Sequence, residues 1–99
     1  MTLAAFRRIA LAQGWTPIPR DPPCANQVAP SFCAQLPEIF NVSSDPVEYN
    51  EMAYRHARSG ETMDVMTEGD IERWNKPGEE CEVTVDQWTF LDGKVPGSD

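Results

Sequence analysis

The chain has 99 residues, which suits a single domain, and its 40% of hydrophobic residues argues against full disorder. Acidic residues outnumber basic ones by 16 to 8, so the net charge is −8 at pH 7. Because neutralisation of phosphates dominates nucleic-acid affinity, this balance argues against direct nucleic-acid binding and favours a protein partner with a basic surface.

Nothing in the sequence indicates secretion or a membrane. Arg7 and Arg8 interrupt the apolar stretch near the N-terminus, so no secretory signal is expected. The apolar runs are far shorter than the ~20 residues that span a bilayer. We therefore expect a cytoplasmic protein.

The first predicted element is an amphipathic helix. Thr2 is a suitable N-cap and Gly14 a suitable C-terminal stop. Between them, Leu3, Phe6 and Ala10 recur at helical spacing.

The region 17–37 holds six of the nine prolines and is predicted to be a connecting segment. Proline fixes its own backbone and restricts the preceding residue, which excludes a long helix or a central strand. Within it, a short helical turn beginning near Pro30 would direct Phe32, Cys33 and Leu36 inward.

A second main helix is predicted over residues 46–59. Asp45 would cap it, Pro46 would take its first position and Gly60 would follow its last turn. The inward face is predicted from helical spacing, and consists of Tyr49, Met52, Ala53, His56 and Ala57.

The C-terminal part favours strands. Met63 and Val65 alternate with polar residues, and a short helix capped by Thr67 and running through Ile71 and Trp74, or else a hairpin, would follow. A strand is predicted over residues 81–91. Its apolar side chains are at odd positions up to Val85 and at even positions from Trp88. A bulge at Asp86-Gln87 or burial on both faces is therefore expected. Residues 94–99 would form a loose tail.

Together these elements predict a single α+β domain spanning residues 1–99. Two main helices would pack on a small, mainly antiparallel sheet, joined by the proline-rich connection.

The nucleophiles and metal ligands do not form a recognisable motif. Cys24, Cys33, Cys81 and His56 would suit zinc chemically, but no closely spaced cysteine pair exists. The odd number of cysteines argues against a disulfide framework, and free cysteines behave as small buried hydrophobes. His56 would have to carry any imidazole chemistry, yet its position favours the core or an interface. No cofactor and no enzymatic activity are expected.

Acidic residues concentrate in the last third of the chain, which also contains Trp74 and Trp88. Tryptophan is enriched at binding hot spots, and carboxylates around one would suit a basic partner. The predicted partner-binding residues are Glu68, Asp70, Glu72, Trp74, Glu79, Glu80, Glu82, Asp86 and Trp88.

These features favour a non-enzymatic protein-binding module over catalysis. A specific version is an inhibitor, such as a phage accessory protein, that mimics nucleic acid by presenting carboxylates to the basic groove of a nucleic-acid-binding protein. The alternatives are a structural or assembly subunit of a larger particle such as a phage virion, and a small zinc-binding protein.

Overall fold

The computed structural model describes residues 1–19, 30–43, 48–75 and 83–95. In chain order the elements are α1 (Leu3–Ala12), β1 (Trp15–Pro17), α2 (Pro30–Gln35), β2 (Ile39–Ser43), β3 (Tyr49–His56), β4 (Thr62–Glu68), a 3₁₀ turn (Ile71–Arg73) and β5 (Thr84–Phe90). The predicted α+β class with an antiparallel sheet is confirmed.

The five strands form one antiparallel sheet organised around β3. One side of β3 pairs with β4, and β5 follows β4. On the other side of β3, β1 pairs with residues 54–56 and β2 with residues 49–52. As a result, β5 is the last strand of the sheet in the described part of the chain.

The prediction of a helix over residues 46–59 is wrong, because residues 49–56 form β3. Asn50, Met52 and Tyr54 are buried at the alternating spacing of a strand, and Ala53 is buried as well. A central strand that is paired on both sides and buried on both faces does not show a simple alternation of apolar and polar residues. Its apolar residues can then recur at a spacing that resembles that of a helix. The proposed cap at Asp45 and Pro46 lies outside the described residues.

The first helix is confirmed as α1. The Thr2 hydroxyl accepts a hydrogen bond from the Ala5 N–H at 3.2 Å. Gly14 follows the helix with a φ of 97°, a left-handed conformation that favours glycine. The helix therefore begins and ends where its capping residues predict.

The proline-rich connection contains a short α2, and both Cys33 and Leu36 are buried as expected. However, α2 has only six residues. Among the described elements α1 alone is a helix of more than seven residues, so the prediction of two main helices is not confirmed.

The C-terminal predictions are largely confirmed. Met63 and Val65 lie in β4, and Thr84–Phe90 of the strand predicted over residues 81–91 form β5. Residues 81 and 82 lie outside the described residues. Thr67 pairs with Val85 and Met66 with Gln87, which leaves Asp86 as the extra residue of the expected bulge.

The 3₁₀ turn differs from its prediction in one respect. Its N-cap is Asp70, whose carboxylate accepts from the Glu72 N–H at 3.1 Å, and not Thr67, which lies buried in β4. Of the predicted tail, Lys94 and Val95 are described and residues 96–99 are not.

The core lies between α1, the 3₁₀ turn and one face of the sheet. It includes Leu3, Leu36, Ile39, Met52, Tyr54, Met63, Val65, Ile71 and Val83. Burial of this apolar surface is the main source of stability in a domain of this size.

A buried ionic network crosses this core. Glu38 is 0% exposed, and its Oε2 accepts from the Arg7 Nε–H at 2.7 Å and from the Tyr54 hydroxyl at 2.7 Å. The Arg7 guanidinium also lies over the Trp74 ring, 5.6 Å from its centroid. The network therefore joins α1 to β3 and to the segment that precedes β2.

The charges of this network shift the pKa of two members. Burial, followed by the negative charge of Glu38 and the hydrogen bond to it, raises the pKa of Tyr54 well above its ordinary value. Burial works to lower the pKa of Arg7, but the hydrogen bond to Glu38 and its charge outweigh burial and raise it. Both shifts favour a protonated tyrosine and a charged arginine in the folded state.

Two findings concern the environment of the chain. In the described ranges, neither helix has the length and apolar character needed to cross a bilayer. Cys33 is disulfide-bonded, which corrects the expectation of free cysteines. Disulfides persist mainly in oxidising compartments, so this bond does not support the expected cytoplasmic location.

Candidate protein-binding site

An open groove lies between α1 and the end of the sheet formed by β5. The helix contributes Phe6, Ile9, Ala10 and Gln13, which recur at the spacing of one helical face. The sheet side contributes Met63, Trp15, Trp88 and Phe90. We call these eight residues the aromatic groove.

The aromatic rings are arranged in contacting pairs. Phe6 and Trp88 have ring centroids 5.8 Å apart with planes inclined by 37°, and Trp15 and Phe90 are also 5.8 Å apart, inclined by 30°. These separations are within the range of stabilising aromatic pairs. The pairs hold both sides of the groove in place without filling it.

Large apolar surface remains exposed along the groove. Trp88 is 54% exposed, Phe90 52% and Ile9 45%. The volume is about 190 Å³, below the ~300–1,000 Å³ of typical small-molecule sites. Its size and openness therefore suit side chains of a protein partner better than an enclosed small ligand.

The described acidic residues of the predicted site gather at one end of the sheet. Glu68 ends β4 and pairs with Thr84 at the start of β5, and Asp86 follows two residues along. Asp70 and Glu72 come directly after Glu68 through the turn at Gly69. We call Glu68, Asp70, Glu72 and Asp86 the acidic end.

These carboxylates remain available for a partner. Glu68, Glu72 and Asp86 are exposed and Asp70 is half-buried. None of the four forms an ion pair with another residue that the structure describes. Glu79, Glu80 and Glu82, the other predicted acids, lie outside the described residues.

The two predicted tryptophans have different environments. Trp74 is half-buried, packs against the core and lies under Arg7, so its described contacts are those of a structural residue. Trp88 pairs with Val65 and points to the helix-covered face, where its ring lines the groove. Because side chains alternate along a strand and Thr67 is buried, Glu68 points to the opposite face from Trp88.

His56 is engaged in local structure. Its Nδ1 lies 3.2 Å from the Arg58 N–H nitrogen and 3.4 Å from that of Ser59, and its Nε2 lies 3.0 Å from the Gln13 carbonyl oxygen. Backbone N–H groups only donate, so Nδ1 accepts and the proton is on Nε2, which donates to Gln13. Nδ1 thus holds the turn after β3, and Nε2 links His56 to the end of α1.

A second concave region adjoins His56 and measures about 380 Å³. It is lined by Ala12, Gln13, Gly14, His56, Ala57 and Arg58. Its aliphatic lining residues are two alanines, Ala12 and Ala57, and it lacks the large exposed aromatic side chains of the aromatic groove. We therefore favour the aromatic groove.

Of the four zinc ligands considered from the sequence, Cys24 and Cys81 lie outside the described residues. Cys33 is in a disulfide, and a disulfide sulfur is not the thiolate that binds zinc. Within the described ranges, no group of three or more histidine, cysteine and acidic side chains is placed to hold a metal ion.

Sequence reasoning found Trp88 but missed most of the groove. The helical pattern favours the core for Phe6, and no sequence pattern marks Ile9, Trp15 or Phe90 as part of a binding site. The available signal was the width of the apolar surface of α1, because Leu3, Phe6, Ile9 and Leu11 span more than one helical face. A helix that packs one face on a sheet leaves the rest of such a surface exposed.

Comparison with known proteins identifies no matching family model, no similar curated protein and no similar solved structure.

Proposed function

We propose that this chain is a non-enzymatic protein-binding module whose aromatic groove and acidic end engage a basic protein. The single observation that carries the proposal is the half-exposed pair Trp88 and Phe90 at an open groove, in a chain of net charge −8. Exposed aromatic side chains on a domain that also carries exposed carboxylates suit a partner that offers apolar and basic side chains together.

The two parts of the site would contribute differently. Burial of Trp88 and Phe90 by a partner would supply most of the affinity, as aromatic anchors do at interfaces. The acidic end is exposed, so its attraction would mainly raise the association rate and would be screened by salt. Specificity for a basic surface would come from the net charge of the chain.

A finer version of the proposal names the partner class. A nucleic-acid-binding protein presents a basic groove, and carboxylates placed where phosphates bind would compete with nucleic acid. This is the inhibitor that the sequence suggests, and Glu68 and Asp86 would be among its carboxylates. Competition between the chain and duplex DNA for such a partner tests this version.

The test of the broader proposal uses two variants that lose similar exposed apolar side chains. Trp88→Ala removes an anchor from the groove, whereas Leu11→Ala alters an exposed residue of α1 that does not line it. We expect the full chain to bind a lysine-rich peptide that also carries valine, with weaker binding in high salt. Trp88→Ala should weaken binding at least about tenfold and Leu11→Ala should not.

Two results would contradict the proposal. One is the absence of binding to the basic peptide in low salt, and the other is an equal loss in both variants. Assembly into a larger particle, the alternative function, would use the same exposed surface permanently. Sedimentation of the purified chain separates the two, because a stable oligomer that buries Trp88 would favour assembly.

A further inference from the structure

The outer edge of β5 is partly used by the chain itself. The Val85 N–H donates to the Met1 carbonyl at 2.9 Å, and the Leu3 N–H donates to the Val83 carbonyl at 2.9 Å. Thr2 and Thr84 form an antiparallel bridge between these bonds. The first part of this edge therefore already accepts an extended segment as a strand.

The second part of the outer edge, residues 87–90, has N–H groups that face away from β4. The Leu91 N–H donates to the Thr62 carbonyl at 3.0 Å and so points toward β4. Because N–H directions alternate along a strand, the N–H groups of Phe90 and Trp88 point outward. The N–H groups of Val85 and Leu91 point to opposite sides of β5, because the extra residue of the bulge, Asp86, shifts the alternation of N–H directions between them.

In the described chain, no strand pairs with β5 on this outer side after Thr84. A row of outward N–H and C=O groups on an edge strand is a template for an additional strand. The same two residues, Trp88 and Phe90, also carry the exposed aromatic side chains of the groove.

The charges near this edge favour a basic occupant. Asp86 and Asp92 are the acids of this part of the chain and Lys94 follows them, while the chain as a whole has a net charge of −8. The groove lies on one face of the sheet, whereas Glu68 points to the other face. A ligand that lies along the edge can reach both faces. An extended segment does so naturally, since its successive side chains point to alternate faces.

We propose that the partner contributes an extended segment that adds to the outer edge of β5 beside Trp88 and Phe90. Apolar side chains of that segment lie over the aromatic groove, and its basic side chains reach Asp86, the member of the acidic end that lies next to the free part of the edge. This inference rests on the proposed function and specifies how the partner binds.

The test uses short blocked peptides of alternating lysine and valine, added to the full chain. One peptide is N-methylated at every valine and another at every lysine, so that each loses the backbone donors of one edge only. Strand addition uses one edge, so one methylated peptide should bind about tenfold more weakly than the unmodified peptide and the other should not. Amide exchange at Trp88 and Phe90 should slow when the unmodified peptide binds.

The other possible results contradict strand addition alone or strand addition together with the proposed function. Equal binding of both methylated peptides, or unchanged exchange at Trp88 and Phe90, overturns strand addition but leaves the proposed function in place. Failure of the unmodified peptide to bind overturns both. Slow exchange at these amides in free protein that sediments as a dimer shows that the edge pairs with a second copy, which also overturns the peptide-binding mode.

Discussion

Two regions on either side of α1 have opposite character. Arg7 points into the buried network with Glu38 and Tyr54, where charges and hydroxyls are within hydrogen-bond distance of one another. Phe6 and Ile9 line the aromatic groove, where apolar surface stays exposed. The helix therefore has one side that stabilises the fold through buried polar contacts and another that leaves apolar surface for a partner.

The two regions show that the type of a residue alone does not indicate whether it stabilises the core or lies at the surface. Charged side chains, usually associated with surfaces, hold the centre of this molecule together. Tryptophan and phenylalanine, usually associated with cores, are half-exposed at its edge. The contrast predicts that substitutions in the network change stability and that substitutions in the groove change binding.

The largest expected effect is that of Arg7→Ala. This change leaves the Glu38 carboxylate, which is 0% exposed, without its cationic partner, and breaking a buried pair in this way costs about 3–5 kcal/mol. Arg8→Ala is the matched control, because Arg8 is exposed and should change the free energy of unfolding by about 0.5 kcal/mol or less. Denaturant unfolding of both variants checks this, and similar stabilities would contradict the importance of the network.

The second prediction concerns alkaline pH. The pKa of Tyr54 is raised in the folded state, so the contribution of its protonated hydroxyl is fully present below the ordinary value of 10.0. It is lost as pH rises from there through the folded-state pKa. Spectrophotometric titration of the folded protein should show Tyr54 ionising above its ordinary pKa, and Tyr54→Phe should remove this part of the pH dependence. Ionisation of Tyr54 at its ordinary pKa in the folded protein would contradict the burial of the hydroxyl.

The third prediction compares two glycines with positive φ. A Cβ at Gly14 would lie 3.2 Å from His56 Nε2, whereas a Cβ at Gly60 would meet nothing within 4 Å. Gly14→Ala should cost about 1–3 kcal/mol, from backbone strain and displacement of the imidazole, and Gly60→Ala about 1 kcal/mol, from strain alone. Thermal unfolding measures both, and an equal cost would show that the His56 contact with the end of α1 is unimportant.

The fourth prediction concerns Trp88→Ala, which should affect stability less than Arg7→Ala or Gly14→Ala. Because Trp88 is 54% exposed, its removal should lower the free energy of unfolding by about 1 kcal/mol. Its effect on binding should be larger, at least about tenfold, if the groove is the contact surface. Unfolding and peptide binding measured on the same preparation test this ordering. A large loss of stability without a loss of binding would make Trp88 a structural residue.

Local signals in the sequence were sufficient for the elements with strong end signals. Thr2 and Gly14 define α1, and the parity change before Trp88 predicts the bulge at Asp86. The spacing around Met52 did not distinguish a helix from a central strand, because pairing of β3 on both sides is a long-range property. The Arg7–Glu38 pair joins residues 31 apart, and nothing in the local pattern of either residue indicates it.

The candidate site was predictable only in part for a similar reason. The clustering of Glu68, Asp70 and Glu72 follows from their closeness in sequence, and Trp88 stood out by type. The groove requires α1 to lie beside β5, which brings Phe6 to Trp88 across most of the chain. Such packing depends on the whole fold and leaves only a weak trace in the sequence, the broad apolar surface of α1.

The central claim is that the groove and the edge of β5 form the contact surface for a basic partner. The most direct measurement is an amide chemical-shift titration of the isotope-labelled chain with the unmodified lysine–valine peptide. We predict that the shifts concentrate in β5 from Asp86 to Phe90 and in α1 from Phe6 to Gln13, and that they diminish with added salt. Shifts confined to other strands, such as β2 and β3, or no shifts in low salt, would contradict the claim.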